Sequence, residues 1–322
     1  MTDDTNKSKY RKLCSKEPIK LFSKDWWLDA VCGEENWDVA IVEQNGELIA
    51  AMPYYMRKKS LFTMIGMPPL TQTMGPWVRY SSDMKYSTRL SFEKKVYNQL
   101  IDQLPEVAYF RQNFDYTVTN WLPFYWRGFK ETTRYTYVVD NLADLDSVYL
   151  EFDKKKREKI RKAEGIVVVR STNDLEVFYG MNEKTFRRQK MRVPYSLLFL
   201  KRIDEQCTRR DCRKILLAED KDGRIHSALY LVWDEQSVFL LMSGSDPELK
   251  NSDAKTLLVW EAMKLSSEKK LRFDFEGSMM ESVEQFDRGF GGVQKRYFSV
   301  WKANSKLFWL LLHARRIGKN RR

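Results

Sequence analysis

Two carboxylates near the C-terminal end of the sequence have a spacing that suits acid–base chemistry. Asp274 and Glu276 alternate with Phe273 and Phe275. Because the side chains of a β-strand point alternately to its two faces, a strand over 271–276 would place both carboxylates on one face. Burying a carboxylate on a central strand is costly unless it is paired or functional. We predict that Glu276 is a general base, acting directly or through water, with Asp274 as the second candidate. The alternative is a structural ion pair with a nearby cation: Arg272, Arg288 or Lys295.

The chain holds few of the side chains that other catalytic mechanisms require. It has two histidines, His226 and His313, so a Ser-His or Cys-His nucleophile is not expected. Its four cysteines are too few and too scattered for a disulfide scaffold. Cys207 and Cys212 lie five residues apart without the second Cys or His pair that would complete a zinc site. We therefore expect no metal site.

Length and composition indicate a folded, basic protein of about two domains. The chain has 322 residues, of which 43% are hydrophobic and 14% aromatic, which excludes a disordered protein. Its N-terminus is polar and no apolar run approaches the ~20 residues that cross a bilayer. We expect a cytoplasmic protein, with peripheral contact to the inner membrane face as a further expectation.

The positive charge is partly concentrated in two segments. The net charge is +12, Lys154–Lys162 holds seven cations in nine residues, and the last eight residues hold five. Such clusters attract phosphates, nucleic acid or an anionic membrane. The alternative is a solvated helix face and a solubilising tail.

Two halves of the sequence follow one pattern, which indicates an internal duplication. Three successive strands joined by turns are predicted over 38–66 and again over 214–244. The first turn of each set, Asn45-Gly46 or Asp222-Gly223, favours the positive backbone angles of two-residue hairpins. Arg-Gly-Phe followed by Arg-Tyr also recurs in both halves. The alternative is two unrelated mixed sheets that share hairpin chemistry.

The second half reads in the order β-α-α-β-β-β-α-β-α-β, and the first half repeats the later part of this order. The predicted elements are a strand over 165–171, helices over 174–189 and 196–209, strands near 213–219, 224–233 and 237–243, a helix with Ser252 as its N-cap, a strand over 271–276, a helix near 280–289 and a strand over 295–302. A final helix over 305–317 is too apolar on one side to lie free in solvent.

Several motifs in this order resemble those of the FemABX-type transferases, which are built of two GNAT-like (acetyltransferase-fold) domains. The motifs are Arg157 with IRKAEG (160–165), FDFEGS (273–278), FGG (290–292) with Tyr297 and Lys302, and NWLPFYWRGF (120–129) with TTRYTYVVD (132–140). The resemblance spans roughly residues 25–302. It implies an α+β fold of two GNAT-like domains in tandem, with mixed sheets flanked by helices. The implied domains are 1–139 and 140–302, with a C-terminal helix in 303–322 that joins the first.

The resemblance implies acyl transfer to an amine, with acyl-CoA or aminoacyl-tRNA as the donor substrate. In a GNAT-like fold, the strands predicted near 237–243 and 271–276 would splay apart, and backbone N–H groups near Ser243 and Gly244 would face the donor. Donor phosphates would lie at the N-terminus of the helix that follows, near Lys250, Ser252 and Lys255. The segment departs from the acetyltransferase pattern, because Leu249 replaces the leading cation and Asp253 adds a negative charge.

The acceptor would lie in the cleft between the two domains. The predicted acceptor-binding residues are Gln72, Arg134, Tyr135, Arg157, Arg161 and Arg288. Arginine suits this role because its guanidinium group matches phosphate bidentately. The resemblance is to bacterial envelope enzymes, so the expected acceptor is an amine of a nucleotide-sugar or lipid-linked envelope precursor. The alternative function is a non-catalytic protein that binds RNA or a membrane surface on a degenerate GNAT fold.

Overall fold

A computed structural model of the chain describes residues 5–310, which form two compact units. The N-terminal unit comprises the described parts of Met1–Arg134 and Arg296–Arg322, and the C-terminal unit comprises Tyr135–Lys295. No helix within residues 5–310 is both long and apolar enough to cross a bilayer. Most of the predicted final helix, 311–317, lies outside the described residues.

The N-terminal unit carries the first set of repeated elements. They are α1 (Asn6–Cys14), α2 (Asp25–Cys32), β1 (Trp37–Gln44), β2 (Glu47–Lys59), β3 (Phe62–Gly66), β4 (Trp77–Val78), α3 (Tyr86–Asp102), β5 (Tyr109–Asn113), α4 (Leu122–Trp126) and the first half of β6 (Lys130–Val139). Strands β1, β2 and β3 pair antiparallel in succession, and β3 pairs parallel with β5. Residues 299–303 complete this sheet by pairing antiparallel with β5. Helix α3 packs its Val96, Tyr97 and Leu100 side chains into the core.

The C-terminal unit carries the second set and adds helices before it. Its elements are α5 (Leu145–Leu150), α6 (Lys154–Glu164), β7 (Val167–Thr172), α7 (Leu175–Arg188), α8 (Leu197–Arg209), β8 (Arg213–Asp220), β9 (Ile225–Trp233), β10 (Ser237–Ser245), α9 (Ala254–Glu268), β11 (Arg272–Asp274), α10 (Glu281–Arg288) and the start of β12 (Val293–Ala303). Strands β7 to β10 pair antiparallel, β10 pairs parallel with β11, and β11 pairs antiparallel with residues 138–139. The pattern of β1-β2-β3-α3-β5 thus recurs as β8-β9-β10-α9-β11.

The two hairpins that suggested the duplication differ in their turns. Asn45 and Gly46 both have positive φ, 53° and 79°, as a two-residue hairpin requires. In the second turn Gly223 has positive φ (77°) but Asp222 does not, and Asp220 and Arg224 close a longer loop. The prediction of a two-residue turn at Asp222-Gly223 is therefore wrong, because the hydrogen bond from Asp220 to Arg224 encloses three residues.

A close contact between α7 and β10 fixes the centre of the C-terminal unit. A Cβ atom on Gly244 would lie 2.4 Å from the Met181 carbonyl carbon and 2.5 Å from the Asn182 nitrogen. The Asn182 side chain donates to the Ser243 carbonyl across this contact at 2.9 Å. The helix can approach the strand this closely because residue 244 has no side chain.

We predict that Gly244→Ala lowers the free energy of unfolding by roughly 1–3 kcal/mol, because two backbones would have to separate. The matched control is Gly180→Ala on α7, where an added Cβ meets nothing within 4 Å. Alanine is the better helix former, so this control should gain about 0.5–1 kcal/mol. Urea unfolding of the two variants measures both values. Equal stabilities would contradict the close packing.

Candidate active site

The strongest candidate site lies where β11 ends and β10 continues without this parallel partner. The two strands pair in parallel only over Ser237–Phe239 and Arg272–Asp274, although β10 runs on to Ser245. The pairing of β10 with β9 shifts register between Leu240 and Met242, just past this point. Bulges of this kind redirect side chains and backbone groups and are frequent beside active sites. The predicted divergence of these two strands is thus present in the fold.

A left-handed turn ends β11 two residues earlier than predicted. Glu276 and Gly277 both have φ of 58°. The Glu276 N–H donates to Asp274 Oδ1 at 2.8 Å, which closes the turn. The predicted strand over 271–276 is therefore too long, and Glu276 lies beyond the strand. A left-handed conformation is uncommon for a residue other than glycine, and such residues cluster at functional sites.

Burial of Asp274 and of the Glu276 carboxyl shapes the chemistry of this turn. Asp274 is buried, and the Thr136 hydroxyl donates to its Oδ1 at 2.6 Å. The predicted alternation holds for the rings, since Phe273 and Phe275 are buried with their centroids 4.9 Å apart. Desolvation, and then the Asp274 carboxylate, raise the pKa of Glu276 well above its ordinary value. A raised pKa makes a carboxylate a stronger base than an ordinary glutamate.

The three cations that offered an ion-pair explanation bind other carboxylates. Arg272 and Lys295 lie 3.7 and 2.7 Å from the two oxygens of Asp140. Arg288 lies 3.7 Å from Glu284 on its own helix. Each of these three cations thus has a carboxylate partner other than Asp274 and Glu276.

Two ionisable residues that the sequence did not single out, Lys156 and Asp287, interact with the predicted Lys255. Lys156 is only 8% exposed, and its ammonium group lies 3.5 Å from the ring centroid of Phe286. The Lys255 ammonium group lies 4.7 Å from the same ring. Asp287 is 3% exposed, and its carboxylate interacts electrostatically with both lysines and with Asp274. We call Lys156, Lys255, Asp274, Glu276 and Asp287 the ionisable cluster.

Burial moves the cluster's pKa values toward neutrality. Burial lowers the pKa of Lys156 to about 7. The positive charge of Lys159 contributes to this lowering, whereas the negative charge of Asp287 opposes it. Burial lowers the pKa of Lys255 in the same way. It raises the pKa of Asp287 to about 7, although both lysines oppose that shift. Buried groups that titrate near pH 7 are candidates for functional residues.

The spacing of the apolar residues in α6 predicts that Lys156 is buried. From the sequence, the basic segment Lys154–Lys162 is expected to form a phosphate-binding or solvated surface. Lys156, Ile160 and Ala163 are spaced i, i+4, i+7, which places them on one helix face, and all three are buried. The apolar partners of Lys156 thus predict that this one lysine of the run points inward. No comparable pattern marks Asp287.

The predicted donor residues lie in two different environments. Gly244 packs against α7, and its carbonyl accepts a hydrogen bond from Ser227 at 2.8 Å. The Ser243 carbonyl accepts from Asn182. Lys250 is exposed on a short 3-10 turn, whereas Lys255 belongs to the ionisable cluster.

The turn before α9 is held by two lysines of α6. Lys159 and Lys162 each lie 2.9 Å from an oxygen of Asp253, and Lys162 also donates to the Asn251 carbonyl. Although partial burial opposes ionisation, these hydrogen bonds lower the pKa of Asp253. Asp253, not Ser252, is the N-cap, and it adopts a left-handed conformation (φ 58°) with no side-chain cap. The Ser252 N-cap prediction is therefore wrong by one residue; Ser252 is buried and donates to the Leu249 carbonyl.

The predicted acceptor residues near the unit boundary belong to different units. Arg134, in the N-terminal unit, donates to the Tyr297 hydroxyl at 3.3 Å. Tyr135 begins the C-terminal unit, and its carbonyl oxygen would lie 2.3 Å from a Cβ on Gly277. Gln72, in the N-terminal unit, accepts from Asn113 through its carbonyl at 2.9 Å.

The predicted arginines of the C-terminal unit differ in how freely they could bind an anion. Arg157 donates to the Leu150 and Phe152 carbonyls, each at 2.6 Å, so part of its guanidinium group supports the backbone. Arg161 and Arg288 are exposed. No group of three or more His, Cys, Asp or Glu side chains within residues 5–310 is arranged to hold a metal ion.

Comparison with known proteins identifies a domain type in the C-terminal unit. Residues 151–283 match the family model of the acetyltransferase (GNAT) domain, and they lie wholly in the C-terminal unit. No curated protein matches the chain significantly.

Solved structures resemble the chain along nearly its whole length. FemX is 12% identical, with a TM-score of 0.68 over 91% of this chain and 95% of that one. The C-terminal domain (DUF2156) of a proposed lysylphosphatidylglycerol synthetase from Agrobacterium fabrum is 11% identical, with a TM-score of 0.56 over 96% and 95%. A tandem GNAT protein from the clavulanic acid biosynthesis pathway is 10% identical, with a TM-score of 0.50 over 93% and 95%.

These likenesses define the fold. The chain has the tandem GNAT fold that is seen in FemX and its structural relatives. The predicted resemblance to the FemABX type and the predicted α+β class with mixed, helix-flanked sheets are confirmed.

The raised pKa of Asp287 predicts a pH-dependent stability. The folded state keeps a proton that the unfolded state releases between about pH 4 and 7, so Asp287 makes the free energy of unfolding fall as pH rises through this window. Asp287→Asn should remove that fall. The stability difference from the parent should therefore grow by about 1 kcal/mol per pH unit across the window. The control is Asp211→Asn, which makes the same change at an exposed turn. Urea unfolding between pH 4 and 8 makes the measurement, and parallel curves for Asp287→Asn and the parent would refute the buried carboxyl.

Proposed function

We propose that the protein transfers an aminoacyl or acyl group to an amine of a cell-envelope precursor, with Glu276 as the general base. The observation that supports this proposal is the position of Glu276. It follows the point where β10 and β11 diverge in a GNAT-type unit, in a left-handed turn, with a raised pKa and Asp274 beside it.

The proposed reaction is a direct displacement. Glu276 accepts a proton from the acceptor ammonium group, and the resulting amine attacks the carbonyl carbon of the donor. The bond from that carbon to the donor's oxygen or sulfur breaks, and the leaving group takes up a proton. In this proposal, backbone N–H groups of β10 past the end of its pairing with β11 stabilise the oxyanion. Lys156 and Lys255 offset the negative charge of the nearby carboxylates.

The donor we favour is an aminoacyl-tRNA. A pyrophosphate at the N-terminus of α9 would meet the Asp253 carboxylate, and Lys159 and Lys162 already bind that carboxylate. This arrangement disfavours coenzyme A bound at that helix. The name of one structural relative, a lysylphosphatidylglycerol synthetase, also joins an amino acid to a lipid. The basic clusters suit a tRNA donor and an anionic, nucleotide-linked or lipid-linked acceptor.

We predict that Glu276→Gln lowers the rate of transfer by roughly 10²–10⁴-fold, because the amide cannot accept the proton. The assay incubates the purified chain with aminoacyl-tRNA or acyl-CoA and an amine-bearing envelope precursor, and detects the acylated product by mass spectrometry. The matched control is Glu281→Gln, an exposed glutamate on α10. A Glu276→Gln variant that turns over like the parent would exclude Glu276 as the base.

The donor assignment predicts that ribonuclease treatment of the donor abolishes transfer. The control is the same treatment of an acyl-CoA reaction, which should be unaffected. Transfer that persists after ribonuclease, and that depends on added acyl-CoA, would replace the aminoacyl-tRNA donor with acyl-CoA.

The alternative function is binding to RNA or to a membrane surface without chemistry. The net charge of +12 favours it. It predicts tight, steeply salt-dependent binding with no acylated product from any donor.

A further inference from the structure

The hairpin between β2 and β3 exposes an aliphatic side chain at its tip. Leu61 is 96% exposed, and the preceding Ser60 has positive φ (55°), which closes the tight turn. The side chain of Leu61 therefore projects into solvent where it contributes nothing to the core of the N-terminal unit.

A second apolar surface adjoins this hairpin. Residues 306–310 are helical, and Phe308 is buried with its ring 5.1 Å from Phe62 and 5.6 Å from Tyr109. Because Phe308 attaches this helical segment to the hairpin, the two form one surface of the N-terminal unit. The outward side of the helical segment is apolar: Leu307 is 60%, Trp309 41% and Leu310 58% exposed.

Basic residues surround these exposed apolar side chains. Arg57, Lys58, Lys59 and Lys306 are all exposed. None of the four forms an ion pair with any residue in 5–310. The segments 53–66 and 299–310 contain no acidic residue. Within residues 5–310, these four cations therefore have no carboxylate partner in an ion pair.

We propose that residues 57–62 and 306–310, which we call the tip surface, dock the protein on an anionic lipid bilayer. Exposed leucines and a tryptophan surrounded by lysines match the interfacial region of a membrane, where apolar side chains enter the acyl boundary and cations meet lipid phosphates. Two signals together, apolar insertion and basic charge, are what stable peripheral binding requires.

The chemistry of the tip surface favours lipid over RNA. RNA-binding surfaces stack bases on exposed aromatic rings and bind the backbone with cations. Leu61, the most exposed apolar residue here, offers neither a stacking face nor a hydrogen bond. An aliphatic side chain gains free energy by leaving water for hydrocarbon, which a bilayer provides. The proposal does not depend on the transfer reaction proposed above.

The test measures co-flotation of the full chain with vesicles of phosphatidylcholine alone or mixed with phosphatidylglycerol. We expect binding to the anionic vesicles only, weakened by salt. Lys58→Glu/Lys59→Glu should reduce the affinity by about tenfold or more, and Leu61→Ser should also reduce it. The matched controls are Lys94→Glu/Lys95→Glu on α3, with the same change in net charge, and Leu198→Ser on α8, where Leu198 is 72% exposed. These controls should keep the affinity of the parent. Thermal unfolding of each variant checks that it is folded.

Several results would overturn the proposal. Equal losses in tip and control variants would show attraction by net charge alone. Failure of the parent to float would show that the surface does not bind lipid. Leu61-dependent self-association in sedimentation would assign the surface to a second copy of the chain. Tip substitutions that weaken binding to an RNA oligonucleotide but not to vesicles would assign it to RNA.

Discussion

The candidate site depends on one close backbone contact, between Gly277 and β6. A Cβ atom at residue 277 would lie 2.3 Å from the Tyr135 carbonyl oxygen and 2.5 Å from the Thr136 Cα. Only glycine fits there, and it does so with positive φ. Because this contact turns the chain away just after Asp274, β10 continues without its parallel partner. The same turn places Glu276 beside Asp274, so strand divergence and carboxylate proximity have one cause.

Burying several charges together is tolerated because they partly balance one another. An isolated buried carboxylate or ammonium group would be strongly disfavoured. Asp287 interacts with Lys156 and Lys255, while Asp274 interacts with both Glu276 and Asp287. The aromatic ring of Phe286 also contacts both ammonium groups. Protonation of any one member therefore changes the energy of the others, which is the coupling that a site for proton transfer needs.

The sequence predicted most elements of the C-terminal unit and the candidate residues Asp274, Glu276 and Lys255, but not the local geometry of the site. The strand predicted near 237–243 is Ser237–Ser245, and the helix predicted over 196–209 is Leu197–Arg209, because periodicity is a local property. The end of β11 depends instead on a contact between Gly277 and Tyr135, which are far apart in sequence. Asp253, which in the sequence is only an added negative charge, likewise binds two lysines of α6. Tertiary contacts therefore determine both where β11 ends and what surrounds Asp253.

The two units share a strand pattern but carry different chemical features. Strand β5, with the sequence YFRQN, holds no carboxylate at the positions that correspond to β11. In the N-terminal unit, a Cβ on Gly75 would lie 2.9 Å from the Phe114 ring, so side-chain packing fills the space beside the end of β5. The match to the acetyltransferase family model is likewise confined to the C-terminal unit. Within residues 5–310, the ionisable cluster lies in the C-terminal unit, whereas the exposed basic and apolar tip surface lies in the N-terminal unit. The repeated strand pattern therefore carries different side chains in its two copies.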